Sequence, residues 1–447
     1  MSAREVPTRR RVAAVVALVA YVVTLALIVF ALFDEWVGLL VAWVLTILAA
    51  AAAWVAATRT GPQRWLAAVA AVAEIVVVVV LLIADAAMRD IAAVVITWIV
   101  AVAAARYAVH ADAAALRAAA PPGVAVGPAA RAVLIMNPWS GGGKVTRFDL
   151  PGECARRGIE AVVLARGDDL EQLARDAAGS GVDAIGMAGG DGSQALVAGI
   201  ASEHDVPFVC IPAGTRNHLA LDLGVDRNDV IGSLEAFSDG YERAVDLATV
   251  NGRVFVNNVS FGVYARIVQS EQYRDQKVGT AAAMLPELLG PGAAGFDFVV
   301  QGPVAPAFEH PCMVLVSNNV YELKRLGGFG TRAHLDAGVL GVVALTVGGA
   351  ADVAALVAAE TAGQVSRVRG WHEWQAPWVE VTSAGPIEVG VDGEALVLDP
   401  PLRLESRPAA LRVRLAASAP GVSPAHARRP TDPRSLVRVA LGHPAPG

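Results

Sequence analysis

Four short stretches of this chain carry groups that could handle a phosphate. The first is NPWSGGGK, Asn137 to Lys144. It superficially suggests a P-loop. That pattern needs Gly where Pro138 stands and Ser or Thr where Val145 stands. Lys144 therefore takes no P-loop role. An Asn-Pro turn, Ser140 and free amides remain, and these can still hold an anion. The second stretch is GGDGS, from Gly189, Gly190, Asp191 and Gly192 to Ser193. Its glycines permit close approach to the backbone, and its aspartate can hold Mg²⁺ through water. The third is PAGTRNHLALDLG, Pro212 to Gly224, with Thr215 and Asn217 as short polar groups. The fourth is VDGE, Val391 to Glu394. Taken alone, its Asp-Gly reads as a type I′ hairpin turn.

The elements around these stretches decide whether they meet. Residues 132–136 (AVLIM) read as a buried strand, 158–165 hold a second, 182–187 a third and 208–211 a fourth. Between them, residues 169–179 and 194–204 show helical apolar spacing. Such alternation predicts right-handed βαβ units and a mostly parallel sheet. The first three stretches then follow strands of one sheet, at the edge where open parallel sheets bind ligands. The helix after GGDGS would offer its N-terminus to a phosphate. From about Asp246 onward short β-type runs dominate, with helices expected over 279–289 and 351–361. This part reads as a largely antiparallel β domain.

Composition sets limits on the rest. The chain has 447 residues, 55% hydrophobic, too apolar for an ordinary soluble protein and too long for one compact unit. A net charge of −6 gives no global case for nucleic-acid binding. Cys154, Cys210 and Cys312 lack metal-site spacing and read as reduced core residues. Most of the apolar excess precedes Ala120, in runs at 12–33, 36–58, 65–84 and 91–109. The first three match the length of a membrane span, and the fourth fits if Arg106 snorkels to the interface. Arginines alternate between the connecting loops, which predicts an antiparallel four-helix region (residues 1–117) with the N-terminus and all that follows cytoplasmic. The expected address is the cell inner membrane, multi-pass. Glu74 within the third run reads as a carboxyl protonated or bonded to Thr46 or Thr97. Residues 118–130 read as a Pro/Gly linker and 417–447 as a disordered tail. The tail's arginines could touch anionic lipid.

Taken in order, NPxSG, GGDGS, PxGTxN, an acid at Asp246 and DGE resemble the catalytic domain of the diacylglycerol kinase family, over roughly residues 131–416. The resemblance implies an α/β domain (131–245), a β-rich acceptor domain (246–410) and a strand (411–416) that returns to the first domain. It implies ATP and Mg²⁺ in a cleft. Asn137, Ser140, Gly189, Gly190, Gly192, Ser193, Thr215 and Asn217 would line the ATP site. Asp191 and Asp246 would join the Mg²⁺-linked carboxylates. Asp392 would take the proton of a lipid hydroxyl, with Glu394 assisting. Three departures stand out. QALVAGI follows GGDGS without the usual glutamate, His218 replaces an aspartate, and the expected structural metal loop keeps only Asp336. The implied function is a membrane-anchored lipid kinase acting on a diacylglycerol-like acceptor, with lipid and bilayer as partners. Two other readings stay open: an NAD kinase-like enzyme on a soluble acceptor, and a non-catalytic nucleotide or lipid sensor. A homo-oligomer is also open.

Overall fold

The computed structural model describes residues 6–34, 44–48, 52, 72–74, 87–109, 123–269, 288–289, 296–303, 307–323, 326, 330–423 and 433–443. The chain forms two compact units: Met1–Ala111 together with Arg428–Gly447, and Asp112–Ala427.

In the first unit, helices α1 (Thr8–Asp34) and α2 (Ala87–Val109) pair through small residues, Ala14 and Ala17 against Ala105 and Ala108. The Thr24 hydroxyl bonds the Thr97 hydroxyl at 2.9 Å across the pair. Thr97 is thereby committed to α1. Both helices are long and apolar enough to cross a membrane, over Thr8–Val29 and Ala92–Val109. Of the four expected spans, the first and the fourth thus stand among the described residues. The expected runs 36–58 and 65–84 fall almost wholly outside them, with 44–48 and 72–74 as helical pieces. The expected disordered tail is corrected. Residues Pro433–Ala440 form a helix packed on α1 and α2.

The second unit opens with β1 (Val124–Val126), inside the expected linker and antiparallel to β6 (Gly240–Val250). Strands β2 (Ala132–Met136), β3 (Glu160–Val163), β4 (Ala184–Ala188) and β5 (Phe208–Ile211) then run parallel in the order β3-β2-β4-β5. The single turn α3 (Lys144–Arg147) and α4 (Leu150–Arg157) link β2 to β3. Helix α5 (Leu170–Gly179) links β3 to β4, and α6 (Asp191–Glu203) links β4 to β5. Both faces of the sheet are covered, which explains its unbroken apolar strands. Ile185, Met187 and Phe208 pack with Ala174 of α5 and Val197 and Ala198 of α6. Leu134, Met136 and Ile211 pack on the other side with Leu150 and Cys154 of α4.

A short helix α7 (His218–Asp222) follows β5. Beyond it, β6, β7 (Arg253–Phe255) and β8 (Asn258–Gly262) lead into a second region, and α8 (Val263–Gln269) follows β8. The expected helix 279–289 lies outside the described residues except for 288–289. One six-stranded sheet runs β15 (Trp371–Ala376), β14 (Leu340–Leu345), β11 (Met313–Asn318), β8, β17 (Ile387–Val391), β18 (Glu394–Leu398), all antiparallel. It packs Val259, Phe261 and Val314 against Val300, Val379, Val381 and Leu404. Those partners belong to β9 (Val299–Gln301), β16 (Trp378–Thr382) and β19 (Leu402–Ala416), and β10 (Phe308–Glu309) edges them. A small ladder, β12 (Tyr321–Glu322) with β13 (Thr331–Arg332), stands apart. Helix α9 (Ala350–Ala362) buries Leu356 in a further cluster on the six-stranded sheet.

The two halves share strands. Strand β19 pairs with β16 at its start and with β5 at Val413, and it runs antiparallel to β6 along most of its length. The returning strand thus begins at Leu402, earlier than expected. The expected boundary at 245/246 falls inside β6. A large part of the backbone hydrogen bonding is therefore common to both halves.

Candidate active site

Strands β2, β4 and β5 are neighbours, so the chain leaves their carboxyl ends side by side at Asn137, Gly189 and Pro212. The loops are in direct contact. Asn137 N donates to Ala188 O at 2.9 Å. Gly141, at φ +54, lies against the Ala213 carbonyl so closely that a Cβ would collide with it. Lys144 Nζ donates to Pro212 O and Gly214 O, both at 3.1 Å. Burial lowers its pKa, and the Arg147 and Arg227 charges add to that. Lys144 is thus a strut between two loops, consistent with its exclusion as a P-loop lysine.

Helix α6 begins at Asp191, three residues earlier than the apolar spacing suggests. Its first turn is therefore Asp191–Gly192–Ser193, and Gly190 caps it with no side-chain bond. The first amides of a 13-residue helix thus lack intrahelical partners, beside Gly190, where nothing would meet an added Cβ within 4 Å. Asn137, Ser140, Gly190, Asp191, Gly192 and Ser193 are half-buried around this point, and Thr215 is exposed. Gly189 is buried.

Asn217 braces its own loop. It is buried at φ +51. Its Oδ1 accepts from Gly214 N at 2.8 Å, and its Nδ2 donates to Pro212 O and Gly214 O. These three bonds shape the loop. The Asp191 carboxylate accepts from His218 N and Leu219 N, each at 3.2 Å, and so caps α7. Burial lowers the pKa of His218 against the opposing pull of Asp191 and Asp222. Its Nδ1 lies 3.5 Å from the Tyr321 hydroxyl.

VDGE forms the two-residue turn of the β17–β18 hairpin, with Asp392 at φ +47 and Gly393 at φ +88. The plain reading as a type I′ turn and the functional one are thus compatible. The Asp392 carboxylate turns onto the backbone between β7 and β8. It accepts from Val256 N and Asn257 N at 2.8 Å and from Asn258 N at 3.0 Å. Burial pushes its pKa up to about 7, with the Asp191 charge adding and the three amides opposing. Glu394, exposed, pairs with Arg253 at 2.7 Å. It lies so close to Gly192 that any Cβ there would strike its carboxylate. GGDGS and VDGE, 201 positions apart from Gly192 to Gly393, therefore meet. A cavity of about 210 Å³ opens beside them, lined by Gly192, Leu196, Gly199, Val254, Asp392 and Glu394.

Sequence reasoning missed the residue that ties these parts together. Arg332 of β13 is fully buried and pairs with Asp222 of α7 at 2.7 Å. Its other nitrogens donate to Val256 O, to Asn318 O at 3.0 Å and to Asn257 Oδ1 at 2.8 Å. It thus clamps α7, which Asp191 caps, to the turn whose amides hold Asp392. Nothing in a lone Thr-Arg dipeptide signals this; only the fold assembles it.

The other expected acids lie in a separate cluster of bonds. Asp246 is buried, with Oδ2 accepting from Gly338 N at 2.6 Å and Oδ1 from Ala409 N at 2.8 Å. Asp336 lies 3.8 Å from the Arg243 guanidinium and 3.8 Å from His334 Nδ1. Among the described residues no group of three or more His, Cys, Asp or Glu side chains could hold a metal. Both Asp191 oxygens carry amide bonds but keep lone pairs for water. The set fits a magnesium ion held mainly by nucleotide phosphates and water, and does not fit a metal caged by protein.

Residues 131–250 match the sequence model of the diacylglycerol kinase catalytic domain. "Probable lipid kinase YegS-like" of Pseudomonas fluorescens is 27% identical over 281 residues, 56% of this chain and 84% of that protein. "Diacylglycerol kinase" of Bacillus subtilis is 36% identical over 91 residues, 20% of this chain and 30% of that one. A Bacillus anthracis crystal structure assigned to the diacylglycerol kinases shares the fold, with a TM-score of 0.53, 20% identity and coverage of 66% of this chain and 98% of that chain.

Proposed function

We propose, from the premise that this chain carries a diacylglycerol kinase catalytic domain, that it is a membrane-anchored kinase moving the γ-phosphate of ATP to a lipid hydroxyl. The observation that carries the reading is the meeting of Asp392 and Glu394 with the open N-terminus of α6. Free amides and the helix dipole there suit a phosphate chain. Ser140, Ser193 and Thr215 supply hydroxyls around it. Magnesium on the nucleotide would neutralise phosphate charge, with Asp191 reaching it through water.

Asp392 accepts the proton of the acceptor hydroxyl. The acceptor oxygen then bonds to the γ-phosphorus, the bond to the β-phosphate oxygen breaks, and ADP leaves. An ordinary aspartate is too weak a base for this. At a pKa of about 7 the Asp392 carboxylate is better matched to proton transfer near neutrality. Its three amide bonds fix where it sits. The two apolar helices support a bilayer location, where a diacylglycerol-like acceptor resides.

The test is purified chain with γ-labelled ATP and, in separate arms, dispersed total membrane lipid, NAD, or no acceptor. Label in the organic phase of the lipid arm supports the proposal. Label in NAD alone would assign a soluble acceptor instead. ATP binding with no transfer in any arm would leave a sensor.

A further inference from the structure

The C-terminal helix α10 (Pro433–Ala440) buries Ser435, Leu436 and Val439. Its apolar partners are Ala14 and Ala17 of α1 and Ala105, Ala108 and Val109 of α2. Arg11 Nε donates to Ala440 O at 3.2 Å, and Val6 N donates to Gly442 O at 3.4 Å. Arg10 Nε donates to Ala108 O at 2.9 Å. Helix α10 therefore docks at one end of the helix pair, where α1 starts and α2 stops.

Its other face is exposed. Arg434, Val437, Arg438 and Leu441 fall at helical spacing on one stripe, with Val437 44% and Leu441 66% exposed. A stripe that interleaves arginine with valine and leucine suits neither bulk water nor hydrocarbon. It suits the boundary between them. Among the described residues the side chains of charged type at this end are basic. Arg9, Arg10 and Arg11 open α1 and Arg106 lies in the last turn of α2, while α10 contains no acid. The acids of the pair, Asp34 and Asp90, lie at its opposite end.

We propose that α10 is an interfacial helix, with Val437 and Leu441 among the lipid headgroups and Arg434 and Arg438 on the phosphates of anionic phospholipids. This rests on the bilayer reading above. The catalytic unit, Asp112–Ala427, is then tied to the membrane at both of its chain ends.

A nitroxide at Leu441→Cys in the full chain tests this, in vesicles of phosphatidylcholine with and without phosphatidylglycerol. Cys154 and Cys210 are buried, and the partly exposed Cys312 is replaced by Ser in every labelled chain. A second label at Val19→Cys reports on α1 itself. The expected result is a 441 label shielded from an aqueous nickel chelate and deeper when phosphatidylglycerol is present. Arg434→Gln with Arg438→Gln should abolish that lipid response. A chelate-accessible 441 label, or a depth indifferent to phosphatidylglycerol and to both arginines, with the Val19 label in hydrocarbon, overturns the proposal alone. An aqueous Val19 label overturns the bilayer reading and this proposal with it.

Discussion

Asp392 is held by opposing influences: burial and the Asp191 charge raise its pKa, and three amides lower it, leaving it at about 7. As the base it must be ionised, so kcat/KM should rise with pH and level off above about 7. A plateau reaching down to about pH 5 would show that another group takes the proton. The same shift bears on stability. A carboxyl whose folded pKa is raised favours folding at low pH, and that contribution fades as pH rises through the folded value. Unfolding by denaturant should thus show wild type losing stability relative to Asp392→Asn between about pH 4 and about pH 7. Arg332 supplies a further prediction. Arg332→Met leaves Asp222 charged and unpaired in the core, at a cost of about 3–5 kcal/mol. Adding Asp222→Leu should restore most of the loss, as read by urea melts. A double variant as unstable as the single one would mean that the bonds to Val256 and Asn257 matter more than the ion pair.

At the scale of elements, the site depends on two turns that touch, the start of α6 and the β17–β18 hairpin. Gly192 keeps them in contact because a side chain would occupy the place of the Glu394 carboxylate. Gly192→Val should push the hairpin away and cut kcat on the order of 100-fold while nucleotide still binds, since small misplacements cost that much. Equal kcat in the variant would mean that Glu394 is not needed at its present position. The α/β half was legible in the sequence because short unbroken apolar runs and helical spacing alternate cleanly around short loops. Even there α6 begins earlier than its apolar spacing shows, since Asp191–Gly192–Ser193 carry no apolar face. The end of β19 was expected at 411–416 from the family resemblance, but its start at Leu402 and the sharing of β6 were not legible. Each strand changes partners along its length, and its local sequence carries no sign of that.

At the scale of the whole molecule, apolar composition correctly singled out two helices fit to span a bilayer, α1 and α2. It misjudged the C-terminus, where Pro and Arg disguise a short helix whose partners in α1 and α2 lie more than 300 residues away. If α1 and α2 span, the full chain should stay in the membrane pellet after high-salt and alkaline washing; release by salt alone would indicate only peripheral binding. The site followed a similar rule. Motifs with fixed local chemistry, such as GGDGS and VDGE, were readable. The work of Asp246 and Arg332 was not, because each bonds groups brought near only by the fold.

The central claim is phosphate transfer to lipid at Asp392. Its most direct test compares wild type with Asp392→Asn for label passing from γ-labelled ATP into extracted membrane lipid, with nucleotide binding measured in both. The account predicts labelled lipid from wild type, a loss of roughly 100-fold or more in the variant, and ATP binding in both. Undiminished lipid labelling by Asp392→Asn would contradict it.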